Sequence, residues 1–390
     1  MYKVPSVEVL EAECVAAMLA MEAESVDAVV TDPPYELGFM GRSWDSTGIA
    51  FRLETWQAAL RVLRPGGYLV AFGAPKNAHR LTCAIEDAGF EIRDTLMWLF
   101  GTGFPKSHDV SKGIDRAASA MLPRIAGGVG SKGGETYSAY GGFVAGETIS
   151  GDAVTPDAIK WQGWGTALKP AYEPIILARK PLIGTVVKNV LAHGTGALNI
   201  DGCRIGTDGG TSKSPSNDKS RTVSVGGYLN AQAGKLNGKG RWPANVVHDG
   251  SDEVLAGFPE TGPSTATAGI IRHGRSGGIM GEAGGIRDGR PEGYNDPGGS
   301  AARFFYCAKA STKDRVDSKH PTVKPIALMR WLCRLVTPPG GIILDPFAGT
   351  GTTGQAALDE GFSALLIERE PEYIADIRRR LAASNTLAVV

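Results

Sequence analysis

The chain has 390 residues, and its 41 Lys plus Arg balance 41 Asp plus Glu to a formal net charge of zero. Hydrophobic residues make up 42% and charged residues 21%, enough to bury a core and too little charge for global disorder. No apolar run approaches the ~18 residues that a membrane span needs. Residues 1–20 carry acidic side chains and only Lys3 as a base, unlike a secretion signal, and five scattered cysteines without a C-x-x-C pair argue against a disulfide framework or a metal site. A cytoplasmic protein without a bound metal is expected.

In chain order, residues 26–31 form a β-branched run that stops at two prolines. Residues 55–63 carry apolar side chains at helical spacing and stop at Arg64-Pro65-Gly66-Gly67. Residues 68–72 read as a buried strand, 77–88 as a helix closed by Gly89, and 93–100 as a further strand. The middle is different. Glycine, 53 residues in the whole chain, concentrates in residues 126–151, 202–240 and 262–299, which read as long loops or flexible segments. Beyond them, residues 327–336 are helical, 341–344 a strand, 352–360 a helix and 364–368 a strand. Strands alternating with helices at both ends predict an α/β layered sheet around a Gly-rich middle.

Neutrality is a sum of opposed regions. Residues 1–50 hold two basic and nine acidic side chains, residues 101–250 hold 17 basic and 11 acidic, and residues 301–350 hold eight basic and three acidic. Such asymmetry is compatible with a polyanion partner.

Two motifs carry chemistry. Directly after the first strand comes Asp32-Pro33-Pro34-Tyr35. The prolines fix the backbone and its carbonyls, so the turn offers a carboxylate, rigid carbonyl acceptors and an aromatic ring. An exocyclic amino group on a nucleobase needs that set: two acceptors for its hydrogens and a ring on which the base stacks. Asp32 can also take up the proton released on transfer. The second motif starts at Asp345 and contains Gly349, Gly351 and Gly354 as G-x-G-x-x-G. It predicts close backbone approach to a ligand and a helix N-terminus beginning at Thr352. Glu368, fourteen residues after Gly354, is placed to accept both hydroxyls of a ribose. Asp345 would repel a pyrophosphate and favours a ligand with positive charge, such as the amino group or sulfonium of S-adenosylmethionine.

Together, Asp32-Pro33-Pro34-Tyr35 and Asp345-Pro346-Phe347-Ala348-Gly349-Thr350-Gly351 resemble the DNA amino-methyltransferases, which methylate adenine N6 or cytosine N4 from S-adenosylmethionine. With the catalytic motif first and the cofactor loop last, the chain looks like the β group, of the kind found in phages and prophages. The resemblance implies a Rossmann-like mixed seven-stranded sheet with helices on both faces, circularly permuted and interrupted by a loop-rich target-recognition insertion. It implies a catalytic half at 1–181 with a Gly-rich insertion at about 105–165, a recognition region at 182–303 and a cofactor half at 304–390. Lys319-His320-Pro321-Thr322-Val323-Lys324-Pro325 is similar to the family's cofactor-side motif, which carries over His320 and Thr322 as contacts, with Phe347 from the glycine loop. Relatives open on G-D-C where this chain has Ala12-Glu13-Cys14, so Glu13 is carried over beside the cofactor adenine with a side chain one methylene longer. Residues 98–106 and 169–181 resemble segments that line the target-base pocket.

The resemblance further implies double-stranded DNA as partner and leaves open a homodimer and a cognate restriction enzyme. Lys106, Lys169, Arg204, Lys213, Arg221 and Arg241 are candidate phosphate contacts. Within the family, Asp at the position of Asp32 goes more often with adenine than cytosine. Cytosine N4 stays open, as do an RNA or protein-glutamine methyltransferase, a nicotinamide dehydrogenase and a non-catalytic DNA-binding relative.

Overall fold

A computed structural model of the chain describes residues 4–37, 43–101, 103, 107–118, 152–206, 240–262, 298–309, 311, 314 and 323–383. The three Gly-rich stretches lie almost wholly outside these residues.

The N-terminal part runs β1 (Val7–Glu11), α1 (Cys14–Ala20), β2 (Val26–Thr31), α2 (Leu53–Val62), β3 (Leu63–Phe72), α3 (Ala78–Asp87) and β4 (Glu91–Leu99). The middle holds α4 (Val110–Ala117), α5 (Pro156–Lys160), β5 (Tyr172–Arg179), α6 (Val186–His193), β6 (Val246–His248), α7 (Asp252–Ala256) and the short pair β7 (Glu260–Thr261) and β8 (Gly299–Ser300). The C-terminal part holds β9 (Tyr306–Cys307), α8 (Ile326–Val336), β10 (Ile342–Asp345), α9 (Thr352–Asp359), β11 (Ser363–Glu368) and α10 (Pro371–Ala383).

Nine strands form one sheet in the order β1-β11-β10-β2-β3-β5-β4-β6-β9. Among the described residues the sheet has nine strands where seven were expected, with the short strands β6 and β9 at its far edge. β5 runs antiparallel to both β3 and β4, and the other pairings are parallel. The two α/β ends read from the sequence are therefore halves of one sheet, joined where β10 pairs with β2.

Every residue of β2 is buried, as expected for a parallel strand covered on both faces. Alternate side chains of β2 and β3 serve opposite sides. Val30, Val70 and Phe72 join the core beneath α8 and α9, whereas Val29, Leu69 and Ala71 join the core beneath α1, α2 and α3. α2 turns Trp56, Ala59 and Val62 inward. Asp27, buried inside β2, is held by Arg64 at 2.5 Å and the Ile342 N–H at 2.7 Å.

One local expectation fails. Arg64-Pro65-Gly66-Gly67 reads as a helix stop followed by a turn, yet β3 already starts at Leu63. Gly66 adopts φ 77°, and the β2–β3 register shifts between Val26 and Ala28. Two steps along β2 oppose five along β3, so three extra residues are absorbed as an irregularity between Leu63 and Tyr68, where Gly tolerates the backbone.

Among the described residues no helix is long and apolar enough to cross a membrane, and no group of three His, Cys, Asp or Glu is placed to hold a metal ion.

Candidate active site

The carboxyl ends of β2 and β10 are neighbours, and ligands of open α/β sheets bind at such ends. Thr31, the last residue of β2, donates its hydroxyl to Asp345 Oδ1 at 2.6 Å, joining positions 314 residues apart. Asp345 also accepts from the Phe347 N–H at 3.1 Å and, on Oδ2, from the Thr353 hydroxyl at 2.5 Å. It is only 2% exposed. Burial pushes its carboxyl up to about 6, against the opposing pull of the two hydroxyl hydrogen bonds. Asp32 follows Thr31 directly, so the first motif and the glycine loop form two walls of one cavity of about 1200 Å³. Pockets of about 300–1,000 Å³ hold one drug-sized ligand, so this volume has room for a nucleoside cofactor and a base together.

The cavity is lined by Asp32, Pro33, Pro34 and Tyr35, by Asp345, Phe347, Gly349, Thr352 and Glu368, and by Glu13. Gly351 is the exception. It caps α9 at φ 76° and packs against Ile377, where a Cβ would sit 3.0 Å from the side chain. Its glycine requirement comes from the left-handed backbone and the close approach of α10, not from ligand contact. Gly354 serves packing too: an added Cβ would lie 2.7 Å from Leu366 Cδ1 and 3.3 Å from Val7 Cγ1. Gly354→Ala is expected to cost about 1–3 kcal/mol by overpacking, read as a lower midpoint in urea unfolding with an unchanged slope.

Glu368 is more committed than expected. Its Oε2 accepts the Gly349 N–H, and its Oε1 accepts the Arg369 and Glu370 N–H groups, each at 2.8 Å. With two lone pairs per oxygen, one acceptor position remains on Oε2, enough for one ribose hydroxyl rather than both. Burial raises the Glu368 carboxyl above the ordinary range, against the three N–H donors. Glu13 caps α1 through the Ala16 N–H at 2.8 Å. Burial works to raise its carboxyl, but the Ala16 and Val15 N–H groups outweigh it and hold it below the usual value.

Two ionisable side chains escaped the sequence reading. Lys324 is 7% exposed and places Nζ 2.8 Å from Asp32 Oδ2 and 3.2 Å from Glu173 Oε2. It also donates to the Tyr35 hydroxyl at 3.0 Å, and that hydroxyl donates to Glu173 Oε2 at 3.0 Å. Burial works to lower the ammonium, yet Asp32 and Glu173 outweigh it and hold Lys324 above the ordinary lysine value. Asp32 Oδ1 is buried without a hydrogen-bond partner. Asn77 donates to the Tyr35 carbonyl at 2.5 Å, which pins the end of the turn. Lys324 stands in the string that supplied His320 and Thr322. Glu173 is a carboxylate placed directly before the apolar run 174–178 of β5, and that oddity is the mark that could have exposed it.

A family profile described as DNA methylase matches residues 26–379. The chain belongs to the DNA methylase family. It is 45% identical over 67 residues to the type II methyltransferase M2.DpnII of Streptococcus pneumoniae, covering 17% of this chain and 25% of the relative. It is 47% identical over 66 residues to the DNA adenine methyltransferase YhdJ of Escherichia coli (strain K12), covering 17% of this chain and 22% of the relative. The alignments thus span about a quarter of the length of these curated relatives. Among solved structures it is similar to the PvuII cytosine-N4-specific DNA methyltransferase, with 13% identity, a TM-score of 0.43 and coverage of 97% and 89% of the two chains. It is also similar to the M1.HpyAVI–SAM complex, with 15% identity, a TM-score of 0.41 and coverage of 96% and 98%.

The remaining residues carried over from this DNA methylase family divide sharply. His320 and Thr322 lie outside the described residues, as do Lys106, Lys213 and Arg221. Lys169 is exposed and lines the cavity. Arg204 does not fit a free phosphate contact: its side chain is 5% exposed, paired with Asp201 at 2.8 Å and packed over the Trp242 ring. Arg241 lies over the Phe304 ring, 4.8 Å from its centroid.

Proposed function

We propose that the chain is an S-adenosylmethionine-dependent DNA methyltransferase that methylates the N6 amino group of an adenine flipped out of double-stranded DNA. The observation that carries this reading is the Thr31–Asp345 hydrogen bond, which makes the amino-holding motif and the glycine loop walls of the same cavity. An amino nitrogen cannot meet a methyl donor inside the base stack, so the base must leave it.

The residues present fit the cofactor. Asp345 is a buried carboxylate suited to a cation, Gly349 turns at φ 52° to bring backbone to the cavity wall, and Glu368 keeps one acceptor for a ribose hydroxyl. Glu13 and Phe347 line the same cavity. Bound there, S-adenosylmethionine supplies an electrophilic methyl group. The protein's part is to hold the base. Asp32 Oδ1 accepts one amino hydrogen, the Pro33 carbonyl accepts the other, and the Tyr35 ring stacks on the base. With both hydrogens held, the nitrogen lone pair leaves conjugation and becomes nucleophilic. Asp32 then takes up the proton the nitrogen gives up. No side chain forms a covalent intermediate, and the rate comes from positioning and exclusion of water.

Asp at the first motif position and the likeness to YhdJ support adenine over cytosine. The motif order supports a permuted core with a catalytic half at 1–181, a recognition region at 182–303 and a cofactor half at 304–390. Lys169 at the cavity rim is a proposed DNA contact, with Lys106, Lys213 and Arg221. A transfer assay with labelled cofactor on unmodified DNA, RNA and protein tests the reading. Label in DNA alone is expected; label only in RNA or protein, or in none, overturns it.

Asp345 also sets a pH dependence. Its carboxyl titrates at about 6 in the free protein, above the ordinary aspartate value of about 3.9. Between those values the folded chain holds a proton that the unfolded chain has lost, so this group's contribution to stability falls as pH rises. Binding a cationic cofactor needs the ionised form. Affinity for S-adenosylmethionine is therefore expected to rise from about pH 5 to about pH 7 and then level off, as read by titration calorimetry.

A further inference from the structure

The network around Asp32 holds one of its two carboxylate oxygens and leaves the other without a partner. Lys324 has three ammonium hydrogens and three acceptors, namely Asp32 Oδ2, Glu173 Oε2 and the Tyr35 hydroxyl. The Tyr35 hydroxyl spends its own hydrogen on Glu173. The ammonium also lies over the Phe72 ring, 4.9 Å from its centroid, and 5.2 Å from that of Tyr35. Lys324 has no donor left for a ligand. Asp32 keeps one acceptor, Oδ1, buried and unpartnered.

We propose that Lys324 and Glu173 are positioning residues for the amino-holding motif: Lys324 fixes the orientation of the Asp32 carboxylate through Oδ2, and with Glu173 it fixes the ring on which the base stacks. The inference rests on the function proposed above. An ammonium that holds one oxygen sets the carboxylate's orientation, which an amino-group acceptor requires. Glu173 balances the buried ammonium, so that Lys324 is held by two carboxylates rather than by Asp32 alone. The pair comes from distant elements, β5 and the segment before α8. Facing Asp32 are Lys324, Glu173 on β5, Tyr35 from its own turn and Asp345 on β10.

Lys324→Met would leave Asp32 facing Glu173 and Asp345 without the ammonium between them, and like charges favour the protonated acid. Carboxyl carbon NMR on cofactor-free protein, with the Asp32 signal assigned by its loss in Asp32→Asn, follows this without any turnover. In Lys324→Met, the Asp32 signal is expected to move to higher pH than in the wild type. Glu173→Gln is expected to move it the opposite way, and that variant carries the test if Lys324→Met does not fold. For DNA methylation, Lys324→Met is expected to lower kcat about 100-fold. Its acid limb moves to higher pH, and cofactor affinity stays within about threefold of the wild type. A titration unmoved in both variants, or a loss of rate equal at every pH, overturns the proposal. Wild-type protein that methylates no DNA overturns the functional reading instead, and the NMR titration still decides the pairing.

Discussion

Asp32→Asn is expected to lower kcat for DNA methylation by about 10²- to 10⁴-fold, the range for loss of a positioned acid–base group. The substitution conserves shape, so the effect isolates charge and acceptor pattern. Lys324 needs an acceptor on one side of the group, and the substrate amino group needs one on the other. Asp32 has an oxygen for each, with Oδ2 on Lys324 at 2.8 Å and Oδ1 buried without a partner. An amide has only one oxygen. Facing it to Lys324 presents an NH2 donor to the base's own NH2; turning it to the base presents that donor to a buried ammonium. Either orientation loses one interaction and adds a repulsion. Asp345 and Glu368 are untouched, so cofactor affinity is expected to change by less than about threefold, a difference below 1 kcal/mol. Turnover near the wild-type rate with cofactor still bound would remove Asp32 from the mechanism.

Asp345→Asn is expected to separate stability from binding. The amide oxygen can still accept from the Thr31 hydroxyl and the Phe347 N–H, and its NH2 can donate to the Thr353 hydroxyl, which rotates to accept. The fold therefore keeps its hydrogen bonds and loses a charge that burial disfavours, since the carboxyl is pushed up to about 6. Thermal unfolding at neutral pH is expected at the same temperature or higher. The cofactor loses its anionic partner. A hydrogen bond to a charged group is worth about 1.5–3 kcal/mol, so affinity for S-adenosylmethionine should fall about 10- to 100-fold. The variant should also lose the rise in affinity between about pH 5 and about pH 7. A parallel fall in stability and affinity would instead make Asp345 a structural residue alone.

The strands that build the site were legible because their side chains are buried on both faces. The β-branched run before Asp32 and the apolar run before Asp345 become β2 and β10, and each motif sits at a carboxyl end as read. What local pattern could not carry was adjacency. Thr31 and Asp345 meet because β10 inserts beside β2, a pairing that no spacing along the chain encodes. The same limit hid Lys324 and Glu173. A lysine in a polar string resembles a solvated side chain, and its burial follows from three partners on other elements. Arg204 fails in the opposite direction: among glycines it resembles a free cation, whereas Asp201 and Trp242 draw it inward. At Arg64-Pro65-Gly66-Gly67 the helix stops as read, and the pairing with β2 skips these residues between Leu63 and Tyr68. Gly351 kept its identity for the expected reason of backbone freedom, but the neighbour it makes room for is Ile377 rather than a ligand.

The zero net charge with which the chain presents itself leaves a basic middle facing the DNA question, and the cavity supplies the chemistry. The most direct test of the account is the identity of the product. Unmodified double-stranded DNA is incubated with the protein and S-adenosylmethionine, digested to nucleosides and resolved by mass spectrometry against standards. The account predicts N6-methyl-2′-deoxyadenosine, absent when Asp32→Asn replaces the wild type. N4-methyl-2′-deoxycytidine would contradict the assigned base, and DNA without any methylated nucleoside would contradict the function.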